Sequence, residues 1–122
     1  MNRVHSAQSA GRPSLQHSGD PDSRRLDAAT ATFRMLSDPT RLHILWLLAQ
    51  EPSDVTSLVE RTGASRTSVS QHLAKLRLSG LVSTQKAGRR VVYSIAGGHL
   101  TRLVVEGLNH ADHAVTGEPV HD

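Results

Sequence analysis

Gly63 and Ala64 leave almost no slack between two helical periods, and few architectures join helices so closely. After Glu51-Pro52-Ser53, a short helix over about 54–62 turns Val55, Leu58 and Val59 inward and ends at Gly63, a residue suited to a left-handed C-cap. Ser65 can cap the next helix, about 66–79, by accepting a backbone N–H of its first turn, and Gly80 closes it. On the wheel of this second helix Val69, Leu73 and Leu76 share one face, while Thr67, Ser70, Gln71 and Lys75 spread over the broad opposite face. That outer face offers hydroxyl, amide and ammonium groups and no acid.

The lack of acids extends beyond the helix. Residues 61–90 carry seven basic and no acidic side chains, whereas residues 1–26 sum to +2, and 27–60 and 91–122 to −3 each. Such a stretch has a potential suited to a polyanion, although a merely solvated basic face would carry the same charge.

Around this block the remaining elements are short. Leu81 to Lys86 and Arg90 to Ile95 read as two strands around Ala87-Gly88-Arg89, a hairpin with a basic tip in which Gly88 supplies a positive φ. Upstream, Asp20 can cap and Pro21 can open a helix that runs to about Leu36. Ser37-Asp38-Pro39 repeats the signal for a helix over about 39–50, with Leu42, Leu45, Trp46 and Leu48 or Ala49 at helical spacing, expected to be the core helix. A last helix covers about 97–114. The expected architecture is therefore mostly α with a small β-hairpin, in the order α-α-α-α-β-β-α. Residues 1–20, rich in Ser, Gln, Gly and Pro, are expected to be a flexible arm, 21–114 the folded domain, and 115–122 a flexible tail.

The 122 residues suit one small domain. With no cysteine, disulfides, thiolate metal sites, thiol nucleophiles and thiol redox switches are excluded, so any metal must be held by nitrogen and oxygen. The longest apolar run, Ile44 to Ala49, is far below the ~18 residues of a membrane span, and the N-terminus lacks an apolar signal core. No membrane association is expected, and the protein should stay in the cytoplasm. Phe33, Trp46 and Tyr93 are too few aromatics for a platform that stacks single-stranded bases.

Three motifs in order, LSDPTRLHILWLL, SRTSVSQHLAKLRLSGLV and AGRRVVYSI, resemble the ArsR/SmtB family of bacterial winged-helix repressors over about residues 26–114. The resemblance implies a homodimeric winged helix-turn-helix that binds double-stranded operator DNA, with the basic hairpin as the wing. Thr67, Ser70 and Gln71 would then reach base edges in the major groove. Arg66 and Lys75 would bind phosphates, and Arg89 and Arg90 at the wing tip would meet phosphate or the narrow minor groove. His72, turned toward the inner side of the recognition helix, and His43 are read as packed structural residues.

Eight histidines are many for so short a chain. On the last helix His99, His110 and His113 lie with Leu103 and Glu106 in a narrow arc, and Leu100, Val104, Leu108 and Ala111 point elsewhere. His110 and His113 can share a metal, but His99 lies eleven residues earlier, roughly 16 Å along the axis, so one helix cannot close the site. Two antiparallel copies across a twofold axis can, with two symmetric sites and the Glu106 pair near the axis. This spacing resembles the terminal-helix site of the family's zinc and nickel/cobalt sensors, with one departure: Gly97 stands where those proteins usually have Asp. The remaining ligands would be water, Glu106, or His5, His17 or His121 from the chain ends. Nickel or cobalt is favoured over zinc because an incomplete nitrogen/oxygen shell suits six-coordination. The family's arsenic- or cadmium-type site needs cysteines and is excluded.

A regulator of the same family without metal sensing is the alternative, with the histidine stripe as a solvated dimer rim. A hydrolytic zinc enzyme is the rival from another class, but the chain has no H-E-x-x-H and little length for a substrate pocket. A winged helix that binds protein instead of DNA is disfavoured by the acid-free stretch 61–90.

Overall fold

A computed structural model of the chain describes residues 19–117, so the expected arm up to residue 18, and His5, His17 and His121, lie outside the described residues. Helix α1 spans Ser23–Leu36 and begins two residues later than the Asp20-Pro21 signal suggests. Asp22 is the cap: one carboxylate oxygen accepts the Arg25 N–H at 2.9 Å and the other takes the Arg25 guanidinium at 2.7 Å.

Helix α2, Pro39–Gln50, starts as its sequence predicts, with the Asp38 carboxylate on the Arg41 N–H at 2.9 Å and Pro39 in the first turn. Its buried residues are Ile44, Leu45, Leu47 and Leu48, and Leu42 and Trp46 are only partly covered. As the expected core helix, α2 packs against all four other helices and a strand, which buries Ile44 and Leu47 in addition to the residues its spacing marks. His43 is exposed and not packed, which corrects its reading as a structural residue.

Helix α3, Val55–Thr62, and α4, Arg66–Leu78, form the helix-turn-helix, each started by a side-chain cap, Asp54 and Ser65. Gly63 between them has φ 75°, a left-handed conformation that a Cβ would strain. Strands β1, Val82–Ala87, and β2, Arg90–Ile95, pair antiparallel with Ala87 opposite Arg90, leaving Gly88 and Arg89 as a two-residue turn. Strand β1 runs one residue later than expected because pairing partners, not its apolar pattern, set its ends. Helix α5, Gly98–Thr116, outlasts its expected end at 114, so Val115 and Thr116 are helical rather than part of a tail. The Gly117 N–H closes it on the His113 carbonyl at 3.0 Å.

Leu58, Val69, Leu73 and Leu76 of the helix-turn-helix meet the α2 residues in one core, which Val82, Leu100 and Val104 complete. Each fully buried side chain of this kind is worth about 1.5–3 kcal/mol of transfer free energy. Helix α1 buries nothing completely, and Leu26 and Phe33 are 52% and 53% exposed. No helix among the described residues is long and apolar enough to cross a membrane.

Candidate nucleic-acid interface and metal centre

The core fixes which way α4 faces. Because Val69, Leu73 and Leu76 are buried, Thr67, Ser70, Gln71 and Lys75 stand exposed on the opposite face. The Ser65 hydroxyl accepts the Ser68 N–H at 3.0 Å and holds the first turn that carries these groups. Arg66 is exposed, and its guanidinium donates to the Thr56 hydroxyl at 3.3 Å, lying back along α3.

Two backbone hydrogen bonds tie the hairpin to the residue before Asp54: Ser53 N–H to the Tyr93 carbonyl at 3.0 Å, and Tyr93 N–H to the Ser53 carbonyl at 2.8 Å. Arg89 occupies the exposed turn beside Gly88, whose φ is 67°. Arg90, expected to be a second free cation of the tip, instead donates its Nε–H to Asp54 at 2.9 Å. Asp54 also accepts the Ser57 N–H at 2.9 Å as the α3 cap. The Ser57 amide, then the Arg90 side chain, hold the Asp54 carboxyl below its ordinary value of 3.8.

The inner side of α4 is also polar at one point. His72 is 19% exposed, with Nε2 3.6 Å from the Asp38 carboxylate and Nδ1 3.4 Å from the Arg41 guanidinium. Arg41 donates as well to the Met35 carbonyl at 2.9 Å and the Arg34 carbonyl at 3.4 Å, satisfying the last turn of α1. One guanidinium thus joins α1, α2 and α4. The inward reading of His72 matches this placement, but Arg41 had no sequence signal as a helix tie, since its partners lie six to 31 residues away.

On α5, Leu100 and Val104 are buried and Leu108 half-buried, as the helical wheel predicts, while Ala111 is exposed. His99, His110 and Glu106 are exposed and His113 is half-buried. Among the described residues of the single chain no three ligating side chains come together. The His99 Nδ1 is met by the Arg102 guanidinium at 2.9 Å, a neighbour the sequence pattern did not single out. Gly97 has φ 89° and ψ 161°, a region open essentially to glycine alone, so the missing Asp at this position goes with a backbone that disfavours any side chain.

Comparison with known proteins agrees with this arrangement. The family model described as "Bacterial regulatory protein, arsR family" matches residues 38–84, from the α2 cap into β1. The HTH-type transcriptional regulator KmtR of Mycobacterium tuberculosis is 44% identical over 89 residues, covering 73% of this chain and 68% of the relative. The regulator NmtR of the same organism is 35% identical over 113 residues, covering 93% and 91%. Among solved structures, a homodimeric winged helix-turn-helix DNA-binding domain from Mycobacterium bovis superimposes with a TM-score of 0.70 at 31% identity, covering 87% of this chain and all of that one. The antimony-specific repressor AntR superimposes with a TM-score of 0.74 at 26% identity, covering 88% and 98%. The relatives are transcriptional regulators, which removes the hydrolytic reading of the histidines. A recognition helix with an acid-free outer face, a wing anchored beside it and this kinship together make the chain a winged helix-turn-helix member of the ArsR family of bacterial transcriptional regulators.

Proposed function

We propose that the protein is a homodimeric repressor that binds a pseudo-palindromic operator and releases it when a divalent metal binds between the two terminal helices. The observation that carries the DNA reading is the exposed α4 face of Thr67, Ser70, Gln71 and Lys75, held by a Ser65 cap beside a wing that ends in Arg89. Thr67, Ser70 and Gln71 reach base edges, and Arg66, Lys75, Arg89 and Arg90 neutralise phosphates. Two recognition helices related by a twofold axis fit half-sites about one helical turn, ~10 bp, apart or a multiple of it.

Dimerisation is supported by the apolar groove lined by Phe33, Leu36, Leu42, Leu103 and Gly107, which the single chain leaves open next to the half-exposed face of α1. A second copy that covers this groove brings two α5 helices together, and His99 of one chain can then join His110 and His113 of the other. The donor set, neutral imidazoles with the Glu106 carboxylate nearby, suits nickel or cobalt, with zinc as the other candidate. The metal would act as effector: by favouring one angle between the α5 helices it favours one spacing of the recognition helices, and the coupling between metal and operator is reciprocal.

Gel shifts with the operator upstream of the protein's own gene, with and without nickel, cobalt or zinc, test both halves. The wild type should bind DNA and dissociate with metal, and the triple change of His99, His110 and His113 to Ala should bind and ignore metal. A triple variant that still dissociates would place the sensor elsewhere. The second reading, a regulator of this family without metal sensing, draws on Arg102 already engaging the His99 Nδ1, and it predicts a wild type that holds its operator in every metal.

A further inference from the structure

Arg90 lies at the end of β2 nearest the wing tip, and its one side-chain partner among the described ion pairs is Asp54, 36 residues earlier, at the start of the helix-turn-helix. Both carboxylate oxygens of Asp54 are used, and for different ends. Oδ1 accepts the first-turn amide of α3 at 2.9 Å, and Oδ2 accepts the Arg90 Nε–H at 2.9 Å. Next to them the Ser53 and Tyr93 backbones exchange two hydrogen bonds. Tyr93 is three residues from Arg90 along β2, about 10 Å of strand, so the hairpin is fastened to the same short segment at two separate heights. A guanidinium has five N–H groups in a planar fork. Asp54 takes the Nε one, leaving the Nη1 and Nη2 side of an arginine whose side chain is 61% exposed, whereas Asp54 itself is 21% exposed.

We propose that Asp54 is a positioning residue for DNA binding, which holds the Nε of Arg90 so that the free edge of the guanidinium and the wing behind it face the phosphate backbone. This rests on the DNA reading of α4 and the wing, and adds an acidic residue that aids binding to a polyanion. The carboxylate stays ionised at any pH used for DNA work, since its own hydrogen bonds hold its pKa below the ordinary value. It can therefore fix Arg90 with a charge-assisted bond throughout that range. Arginine suits the task because its fork can serve a carboxylate and a phosphate at once, which a lysine ammonium does not do with defined geometry.

The sign of one substitution decides the matter. Asp54→Asn removes a negative charge from the DNA side while keeping a side chain that caps helices as well as Asp does. If Asp54 were only one more charge near the interface, every DNA would bind more tightly. Positioning predicts the reverse: operator affinity about tenfold weaker, the scale of a single charge-assisted hydrogen bond, and a log–log salt slope shallower by about 0.9, one phosphate neutralised fewer. Arg90→Ala should show the same two changes, and Asp54→Asn added to Arg90→Ala should change neither further, because each removes the same interaction. Asp54→Ser, another good cap, serves as the second variant should the Asn form melt early, and Arg89→Ala, outside the pair, should add its effect independently to Asp54→Asn. Affinity equal to or tighter than wild type in both Asp54 variants, or effects that add in the Asp54/Arg90 pair, overturns the proposal and leaves the DNA reading standing. A wild type with no salt-sensitive DNA binding sinks both.

Discussion

Ser65 separates the stability of the recognition helix from its affinity for DNA. Its hydroxyl accepts the Ser68 N–H at 3.0 Å and is the only side-chain cap on α4. Ser65→Ala leaves that amide without its partner, at a loss of about 1 kcal/mol. For a domain of this size that lowers the melting temperature by roughly 4–8 °C. Ser65→Asp restores the acceptor and places an anion at the positive end of the helix, so its melting temperature should return to about that of the wild type. DNA affinity should behave oppositely. Taking a separation of about 7 Å between that carboxylate and a phosphate, the repulsion is roughly 0.6–2.4 kcal/mol for effective dielectric constants between 80 and 20, or about 3- to 60-fold in affinity. Ser65→Ala, measured well below its melting point, should weaken binding much less than that. Circular-dichroism melts at one fixed protein concentration and fluorescence anisotropy with a labelled operator at three salt concentrations make the comparison, and the Ser65→Asp deficit should shrink as salt rises. An Asp variant that binds as tightly as wild type would refute the placement of the α4 N-terminus at the DNA, and one that melts as early as the Ala variant would refute the capping argument.

Gln71→Ala should relax base preference at one position per half-site by about 1–3 kcal/mol in a selection from randomised operators, while Arg89→Ala weakens all sequences alike; an unchanged selected motif in Gln71→Ala would move the reading face. In acid, Asp38 and Asp54 both matter: the Arg41 and Ser57 amides, respectively, hold their carboxyls below the ordinary 3.8, so the unfolded chain binds their protons more tightly. Their contribution is therefore complete above about pH 4 and is lost as pH falls through the lower folded values. Urea midpoints measured from pH 6 to pH 2 should drop only below about pH 4, and less steeply in Asp38→Asn; a drop centred above pH 5 would point to other groups. Phe33, 53% exposed on α1, should be a dimer contact, so Phe33→Asp should weaken self-association more than tenfold in sedimentation while the monomer keeps its helical signal.

The features that the sequence alone determines are those made by residues three or four apart. Asp38 and Ser65 each cap a helix by accepting the amide three residues on, and the chain spells them out with Pro39 or an apolar period behind, whereas Asp54, expected as the first residue of its helix, proves to be its cap. Gly63 and Gly88 mark their turns because their backbones take positive φ. The inward face of α4 was legible from spacing alone. At the first helix the Asp20-Pro21 signal lies two residues early, and the cap is Asp22, which takes both the Arg25 N–H and its guanidinium. Tertiary structure alone decided that α2 packs against all four other helices and a strand, that its His43 is nonetheless exposed, and that Arg41 ties His72 to the end of α1 across 31 residues. It likewise turned Arg90 from a free wing cation into the partner of Asp54 across 36 residues. Charge counted along the chain treats every arginine alike, because a one-dimensional pattern holds no information on which distant carboxylate the folded core brings within hydrogen-bonding reach of it. The histidine stripe of α5 marks the same boundary: its period is written in one helix, but among the described residues of a single chain it gathers no three ligands, so the proposed metal site would need a second helix.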